Sequence, residues 1–333
     1  MKVPVLLPKI FNYPFTYNSN LNQSLNPGDL VIVPFGKKKE IGVVWDKIQP
    51  INKKIRLRNI EKKIEKITIK KNLIKFINWF SMYNLASKGM VLKMCLGDKN
   101  NIIKKDDKKE NNYLSKIKKY HLNEEQKKSL EKLKKSGTKF NVSVLQGVTG
   151  SGKTLVYFER IKNIISNKKQ VLVLLPEIFL TNQFKDRFTE YFGFSPAIWH
   201  SKITLKNKRN IWQGITNNKV KLVIGARSAL LLPFKNLGII IVDEEHDPSY
   251  KQDESLIYHA RDMAISRASF ENIPIDLVTS IPSLETYNHI RNKKYNLTKI
   301  KNRYSNFPLP EAKIINLNLS KLRKNEFISS EAI

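Results

Sequence analysis

Cysteine is nearly absent from this chain of 333 residues: the one copy, Cys95, excludes an internal disulfide framework and any multi-cysteine zinc site, so no zinc is expected. A small buried apolar residue is the reading that suits it. Acidic residues are scarce too, with 29 Asp and Glu against 60 Lys and Arg, for a formal charge of +31. No apolar run approaches membrane-spanning length, and the opening Met1-Lys2-Val3-Pro4-Val5 is too short and too proline-interrupted for a secretory signal. The cytoplasm is therefore the expected location, with no membrane partner. What is present is a hydrophobic content of 41%, that of a globular protein, in a length that suits two domains. The basic excess attracts polyanions and gives salt-dependent, sequence-blind affinity for nucleic acid. Lys, Asn and Ile are abundant throughout, as a drift toward AT-rich codons produces, so part of that excess carries no functional message.

The most informative stretch is Gly147-Val148-Thr149-Gly150-Ser151-Gly152-Lys153-Thr154, which follows the apolar run Val142–Leu145 and precedes a helical pattern. Glycines let a backbone fold around phosphates, amides from Thr149 to Lys153 point inward, and the next helix adds its positive N-terminus. Lys153 is placed to reach the β and γ phosphates of ATP, and the Thr154 hydroxyl to hold Mg²⁺. The plain alternative is a glycine-rich turn.

A second motif argues against that alternative. The segment Gly238-Ile239-Ile240-Ile241-Val242-Asp243-Glu244-Glu245-His246 reads as a fully buried strand ending in acids, and parallel sheets gather their chemistry at strand carboxyl ends. Asp243 is the expected Mg²⁺ partner, and Glu244 is placed to polarise the water that attacks the γ phosphate. His246 either starts a helix or links the nucleotide site to a neighbouring strand, the reading preferred. Together these give the Asp-Glu-x-His signature of superfamily-two helicases and translocases.

The organisation divides into units. Residues 1–97 are expected to be a small β-rich domain, with strand-like runs at Leu30–Val33 and Ile41–Trp45 around a hairpin tip. The tip carries Lys37, Lys38 and Lys39, which either meet phosphates or form an ordinary solvated turn. Leu73, Ile74, Phe76, Ile77 and Phe80 recur at helical spacing and are expected to be core. Residues 98–120 read as a polar linker that few contacts should cross. From 121 to about 290, apolar strands alternate with helices, which predicts an α/β, doubly wound, mostly parallel RecA-like P-loop domain. The strands expected are Val142–Leu145, Val171–Leu175, Ala197–His200, Leu222–Gly225, Ile239–Val242 and Ile275–Ser280. Residues 291–333 are expected to be a C-terminal extension.

Further residues are candidates for contacts. Gln126, one helix upstream of the phosphate loop, reads as an adenine-edge contact or as an exposed helix residue. Thr181, in a segment that opens a helix after a strand, could receive a backbone phosphate of single-stranded DNA. Gly225-Ala226-Arg227-Ser228-Ala229 follows another strand and presents Arg227 for a bidentate phosphate grip, with Ser228 beside it.

In order along the chain, the phosphate loop, Pro176-Glu177-Ile178-Phe179-Leu180-Thr181, His200-Ser201, Gly225-Ala226-Arg227-Ser228-Ala229, Pro233-Phe234-Lys235-Asn236-Leu237-Gly238, Asp243-Glu244-Glu245-His246-Asp247, Ser249-Tyr250-Lys251-Gln252 and Tyr258-His259-Ala260-Arg261-Asp262 resemble PriA, the family of primosomal replication-restart helicases. The likeness covers residues 121 to about 290, with Phe11-Asn12-Tyr13 and Val33-Pro34-Phe35-Gly36 extending it toward the N-terminus. The resemblance implies an ATP-dependent 3′–5′ DNA helicase or translocase acting on single-stranded and forked DNA at stalled forks. It implies partners among primosome and replication-restart proteins and single-stranded DNA-binding protein, and an N-terminal domain that recognises the 3′ end of a nascent leading strand.

The chain departs from the family pattern in four places. Asn12 stands where the family has an acid, which bears on recognition of a 3′ hydroxyl. In Val278-Thr279-Ser280-Ile281-Pro282, Ile281 stands where the family has a threonine and cannot supply its hydroxyl. The linker is too short for the winged-helix domain expected there. Nothing after residue 290 resembles a second RecA-like lobe with its arginine finger, so the extension is expected to be a remnant of the entry to that lobe, with motor activity reduced. The alternative from another class is a non-motor DNA-binding scaffold that holds ATP without productive unwinding.

Overall fold

The computed structural model describes residues 1–46, 56–98, 102, 120–176, 182–254, 256–304, 313–316 and 328. The first unit is an antiparallel sheet of β1 (Lys2–Leu6), β2 (Phe15–Asn18), β3 (Asp29–Phe35), β4 (Lys38–Val44) and β5 (Lys62–Thr68), in the order β2-β1-β4-β3-β5. Side chains alternate between its faces as the pleat requires: Val31 and Val33 pack with Val3 and Val5 on one side, Leu30, Ile41 and Val43 on the other. The hairpin expected at residues 34–40 is present but tighter than its composition implies. Pro34 pairs with Lys39 and Phe35 with Lys38, so only Gly36 and Lys37 turn the chain, with Gly36 in the left-handed region at φ +60°.

Two helices follow, α1 (Lys71–Tyr83) and α2 (Lys88–Leu96). The stripe Leu73, Ile74, Phe76, Ile77 and Phe80 is buried, as its spacing predicts. The expectation of few contacts between the two units fails, because these helices are covered by the second unit. Phe80 meets Tyr258 edge-on at a centroid distance of 5.2 Å, Phe76 meets Phe270 at 6.0 Å, and Trp212 donates its indole N–H to the Cys95 carbonyl at 2.9 Å. One apolar cluster thus runs from the antiparallel sheet, through α1 and α2, to one face of the second sheet.

That second sheet has seven parallel strands in the order β14-β6-β13-β10-β7-β9-β8. They are β6 (Val142–Gly147), β7 (Gln170–Leu174), β8 (Ala197–Trp199), β9 (Leu222–Gly225), β10 (Leu237–Asp243), β13 (Ile275–Thr279) and β14 (Asn296–Ile300), while β11 (Lys251–Gln252) and β12 (Tyr258–His259) form a separate antiparallel pair. The helices are α3 (Glu124–Lys135), α4 (Lys153–Ser166), α5 (Asn182–Phe192), α6 (Leu205–Thr216), α7 (Ala260–Glu271) and α8 (Leu284–Arg291). Packing on both faces explains the unbroken apolar runs: all seven positions of β10 are buried. Leu172 and Leu174 face α7, and Val171 and Val173 face α3, α4 and α5.

The sheet continues past residue 290. β14 pairs with β6 from Asn296 to Ile300, so the expected C-terminal extension begins inside the nucleotide-binding fold. Its sequence Asn296-Leu297-Thr298-Lys299-Ile300 has two apolar residues separated by two polar ones and gave no continuous apolar run to read. Of the polar linker, residues 99–101 and 103–119 lie outside the described residues. Among the described residues, no helix is long and apolar enough to cross a membrane.

Candidate nucleotide site

β6 ends at Gly147 and α4 begins at Lys153, so Val148–Gly152 turn between a buried strand and a helix N-terminus. Gly150 and Gly152 both sit at φ +79°, a region side chains rarely adopt. The other requirement for glycine is space: a Cβ at Gly147 would lie 2.5 Å from Ser151 Oγ, and one at Gly152 would lie 2.3 Å from Gln126 Nε2. The Lys153 ammonium donates to the Gly147 carbonyl at 2.8 Å, which holds a cation at the mouth of the loop. Thr154 follows on the first helical turn. The Ser151 hydroxyl is buried without a hydrogen-bond partner inside the loop, a polar vacancy of the kind an anionic oxygen satisfies.

The acidic strand end stands across the same cavity. Asp243 closes β10 and is 7% exposed. Its Oδ2 accepts from the Tyr157 hydroxyl at 2.9 Å and its Oδ1 from the Glu244 amide at 3.1 Å. Burial and the neighbouring Glu244 raise the Asp243 carboxyl to about 6, with the Tyr157 hydrogen bond and Lys153 acting in the opposite sense. Glu244 follows at φ +48°, a left-handed conformation costing about 1 kcal/mol or more in a non-glycine residue, which turns the chain sharply off the strand. Lys153, Thr154, Asp243 and Glu244 all line one cavity of about 730 Å³. A carboxylate, a hydroxyl, an ammonium and an unfilled serine hydroxyl around a glycine cradle suit a triphosphate with Mg²⁺.

The Nδ1 of His246 and the Thr279 hydroxyl lie 2.8 Å apart, joining the acidic segment to the end of β13. The same hydroxyl donates to the Ile281 carbonyl at 2.7 Å, so Ile281 contributes its backbone while its side chain is exposed. Asn12 also has protein partners, accepting from the Ser81 hydroxyl and the Lys88 amide through Oδ1.

Gln126, read as an adenine-edge contact or an exposed helix residue, is turned into the protein. It is fully buried; its Oε1 accepts from the Asn123 amide at 3.0 Å to close a capping box on α3, and its Nε2 donates to the Ser151 carbonyl at 3.0 Å. Its amide braces the phosphate loop from beneath. Among the DNA candidates, Arg227 heads a 3-10 turn over Arg227–Leu231, with Ser228 next to it, and donates to the Lys251 carbonyl at 2.5 Å. That turn is anchored by Arg267, fully buried on α7, through the carbonyls of Leu230 and Leu232. Thr181 lies outside the described residues. Lys37 sits in the two-residue turn of the antiparallel sheet; Lys38 and Lys39 are strand residues rather than tip, and Lys39 is paired with Glu61 at 2.7 Å.

Several supporting residues escaped the sequence reading. Tyr157 follows Lys153 by four residues, a spacing that sets both on one helix face and could have revealed it. Tyr250 is fully buried and donates to the carbonyls of Asp243 and Leu174, pinning the ends of β10 and β7 together. Glu245, the third acid of the motif, points away from the cavity. It accepts from the Ser283 amide and hydroxyl, the Thr286 hydroxyl and the Arg261 guanidinium, which ties α8 and α7 to the motif.

Comparison with known proteins matches the same two units. Residues 123–277 match the DEAD/DEAH box helicase family, and residues 2–97 match the 3′DNA-binding domain (3′BD) of PriA. The replication restart protein PriA of Rickettsia conorii is 42% identical over 330 residues, which is 98% of this chain and 50% of that protein. PriA of Bacillus subtilis is 39% identical over 198 residues, covering 59% of this chain and 25% of its own length. A solved structure, the DUF1998 helicase MrfA bound to DNA, aligns with 55% of this chain and 27% of its own at 17% identity and a TM-score of 0.40, too slight a likeness to bear on function. The chain spans about half the length of the Rickettsia relatives it matches. Both domain families and nearly its whole length at this identity place the chain in the PriA family of replication restart proteins.

Proposed function

We propose that the protein binds ATP with Mg²⁺ in the 730 Å³ cavity and uses its hydrolysis to act on DNA, as a 3′–5′ helicase or translocase of the PriA type in replication restart. The observation that carries the reading is the meeting of the lysine-bearing loop and the acidic strand end around one cavity. Amides from Thr149 to Lys153 and the Lys153 ammonium hold the phosphates, while Gly147, Val148, Gly150 and Gly152 shape the cradle. Thr154 and Asp243 would hold Mg²⁺, which supplies neutralisation of phosphate charge when bound. Glu244 orients the attacking water and takes its proton, and His246 passes the state of the site to β13 through Thr279.

On the DNA side, Arg227, Ser228 and Thr181 form a phosphate track at the strand ends, and Lys37, Lys38 and Lys39 add basic charge on the first unit. Residues 1–97 serve as the fork-recognition domain, and the parallel-sheet unit from residue 121 through β14 as the ATP-binding lobe. Primosome proteins and single-stranded DNA-binding protein are the partners, in the cytoplasm. An arginine from a second lobe accelerates hydrolysis by about 10³ to 10⁵ in motors of this design, so these residues alone bind both ligands better than they unwind.

The test is ATP hydrolysis with and without single-stranded and forked DNA, on wild type and Glu244→Gln. DNA-stimulated hydrolysis is expected in the wild type, with Glu244→Gln retaining ATP and cleaving it on the order of 10²-fold more slowly. Protein that binds neither ligand at low ionic strength refutes the reading. Binding of both without cleavage replaces it with the non-motor scaffold.

A further inference from the structure

Beyond β14 the chain crosses back over the phosphate loop. The amides of Lys301 and Asn302 donate to the Glu125 carboxylate at 2.9 and 3.2 Å, and the Tyr304 amide donates to the Gly150 carbonyl at 3.0 Å. The Tyr304 hydroxyl donates to the His121 carbonyl at 3.4 Å. Side chains of this strap rest on the loop glycines: a Cβ at Gly150 would stand 3.8 Å from Arg303 Nε, and one at Gly152 would stand 3.9 Å from the Tyr304 ring. Tyr304 is therefore fixed at its backbone and at its hydroxyl, yet remains 49% exposed and lines the nucleotide cavity. Tyr120 lines the same cavity with one face already stacked on Tyr191, at a centroid distance of 5.1 Å and an interplanar angle of 10°.

Lys153 and Ser151 take the phosphate end of the cavity, which leaves the nucleoside to extend toward its rim. Gln126 spends its amide inside the protein, so base recognition falls to other groups. An aromatic ring held at both ends, beside the position a Gly152 side chain would take and open to solvent at that rim, presents a ready face to a flat heterocycle. We infer that Tyr304 is the stacking face for the base of the bound nucleotide, which makes the strap after β14 part of the nucleotide site. This inference rests on the nucleotide reading of the same cavity.

The experiment compares equilibrium binding of ADP and of inorganic triphosphate to the full chain, by titration calorimetry. Tyr304→Ala is expected to weaken ADP by about 10- to 100-fold, the range of losing one base–aromatic stack, and to leave inorganic triphosphate unchanged. Tyr304→Phe, which keeps the ring, retains ADP affinity within about threefold. Tyr304→Leu, which keeps apolar bulk over Gly152, shows the alanine phenotype and guards against a variant that fails to fold. Unchanged ADP affinity in both ring-less variants, or an equal loss for ADP and inorganic triphosphate, overturns the assignment while the nucleotide reading stands. Wild-type protein that binds neither compound removes both.

Discussion

Replacing Asp243 by Asn should make the protein more stable and less capable. In the ligand-free fold the carboxylate is 7% exposed and lies beside Glu244, and its protonation is displaced from 3.8 to about 6. A displacement of that size corresponds to about 3 kcal/mol of unfavourable ionisation in the native state at neutral pH. Asn cannot ionise, and its carbonyl oxygen can still accept from Tyr157 or from the Glu244 amide. Because the native carboxyl is raised above its unfolded value, its contribution to stability is fully present below 3.8 and is lost as pH rises through about 6. The advantage of Asp243→Asn should therefore approach 3 kcal/mol near pH 7.5 and shrink by about 1.4 kcal/mol near pH 5. The assay is urea unfolding of both proteins at the two pH values, with chelator present and nucleotide absent. An advantage that does not change with pH, or a variant less stable than wild type near neutrality, refutes the assignment of a strained carboxylate. The same variant should lose Mg²⁺-dependent stabilisation by ATP, tying the stored cost to ligand binding.

Other outcomes follow from neighbouring contacts. Tyr250→Phe removes a hydroxyl shared by the Asp243 and Leu174 carbonyls and should cost about 1–3 kcal/mol in a denaturant titration. Glu245→Leu removes the buried carboxylate that accepts from Arg261, Ser283 and Thr286, leaving Arg261 with Asp262 at 2.8 Å, and should cost about 3–5 kcal/mol, with the double change Glu245→Leu, Arg261→Met recovering part of it in the same assay. Arg227→Ala should weaken single-stranded DNA binding to a similar degree across sequences and lower the salt slope by about one; an unchanged slope removes Arg227 from the track.

The parallel sheet was legible because both its faces are covered. Six of its strands announce themselves as apolar runs between turn signals, and the phosphate loop and acidic strand end fall at their carboxyl ends. The edge strand β14 was not, since half its residues face water and its pattern matches no buried template. The antiparallel sheet was only partly legible: β3 and β4 carry strong runs, whereas Phe15–Asn18 and Lys62–Thr68 become strands through pairing with distant partners. At the site, residue types with fixed spacing could be named from sequence. The roles of Tyr250 and Tyr304 could not, because each reaches the cavity or its supports through long-range contacts that no local pattern encodes.

The placement of α1 and α2 between the two sheets has a mechanical consequence. Helices whose apolar sides are shared by both neighbours cannot let one sheet swivel against the other without opening a dry, aromatic-lined seam. A displacement at the phosphate cradle would reach the amino-terminal domain as movement of one rigid body. A chain nicked near residue 100 should therefore leave two fragments that still co-purify.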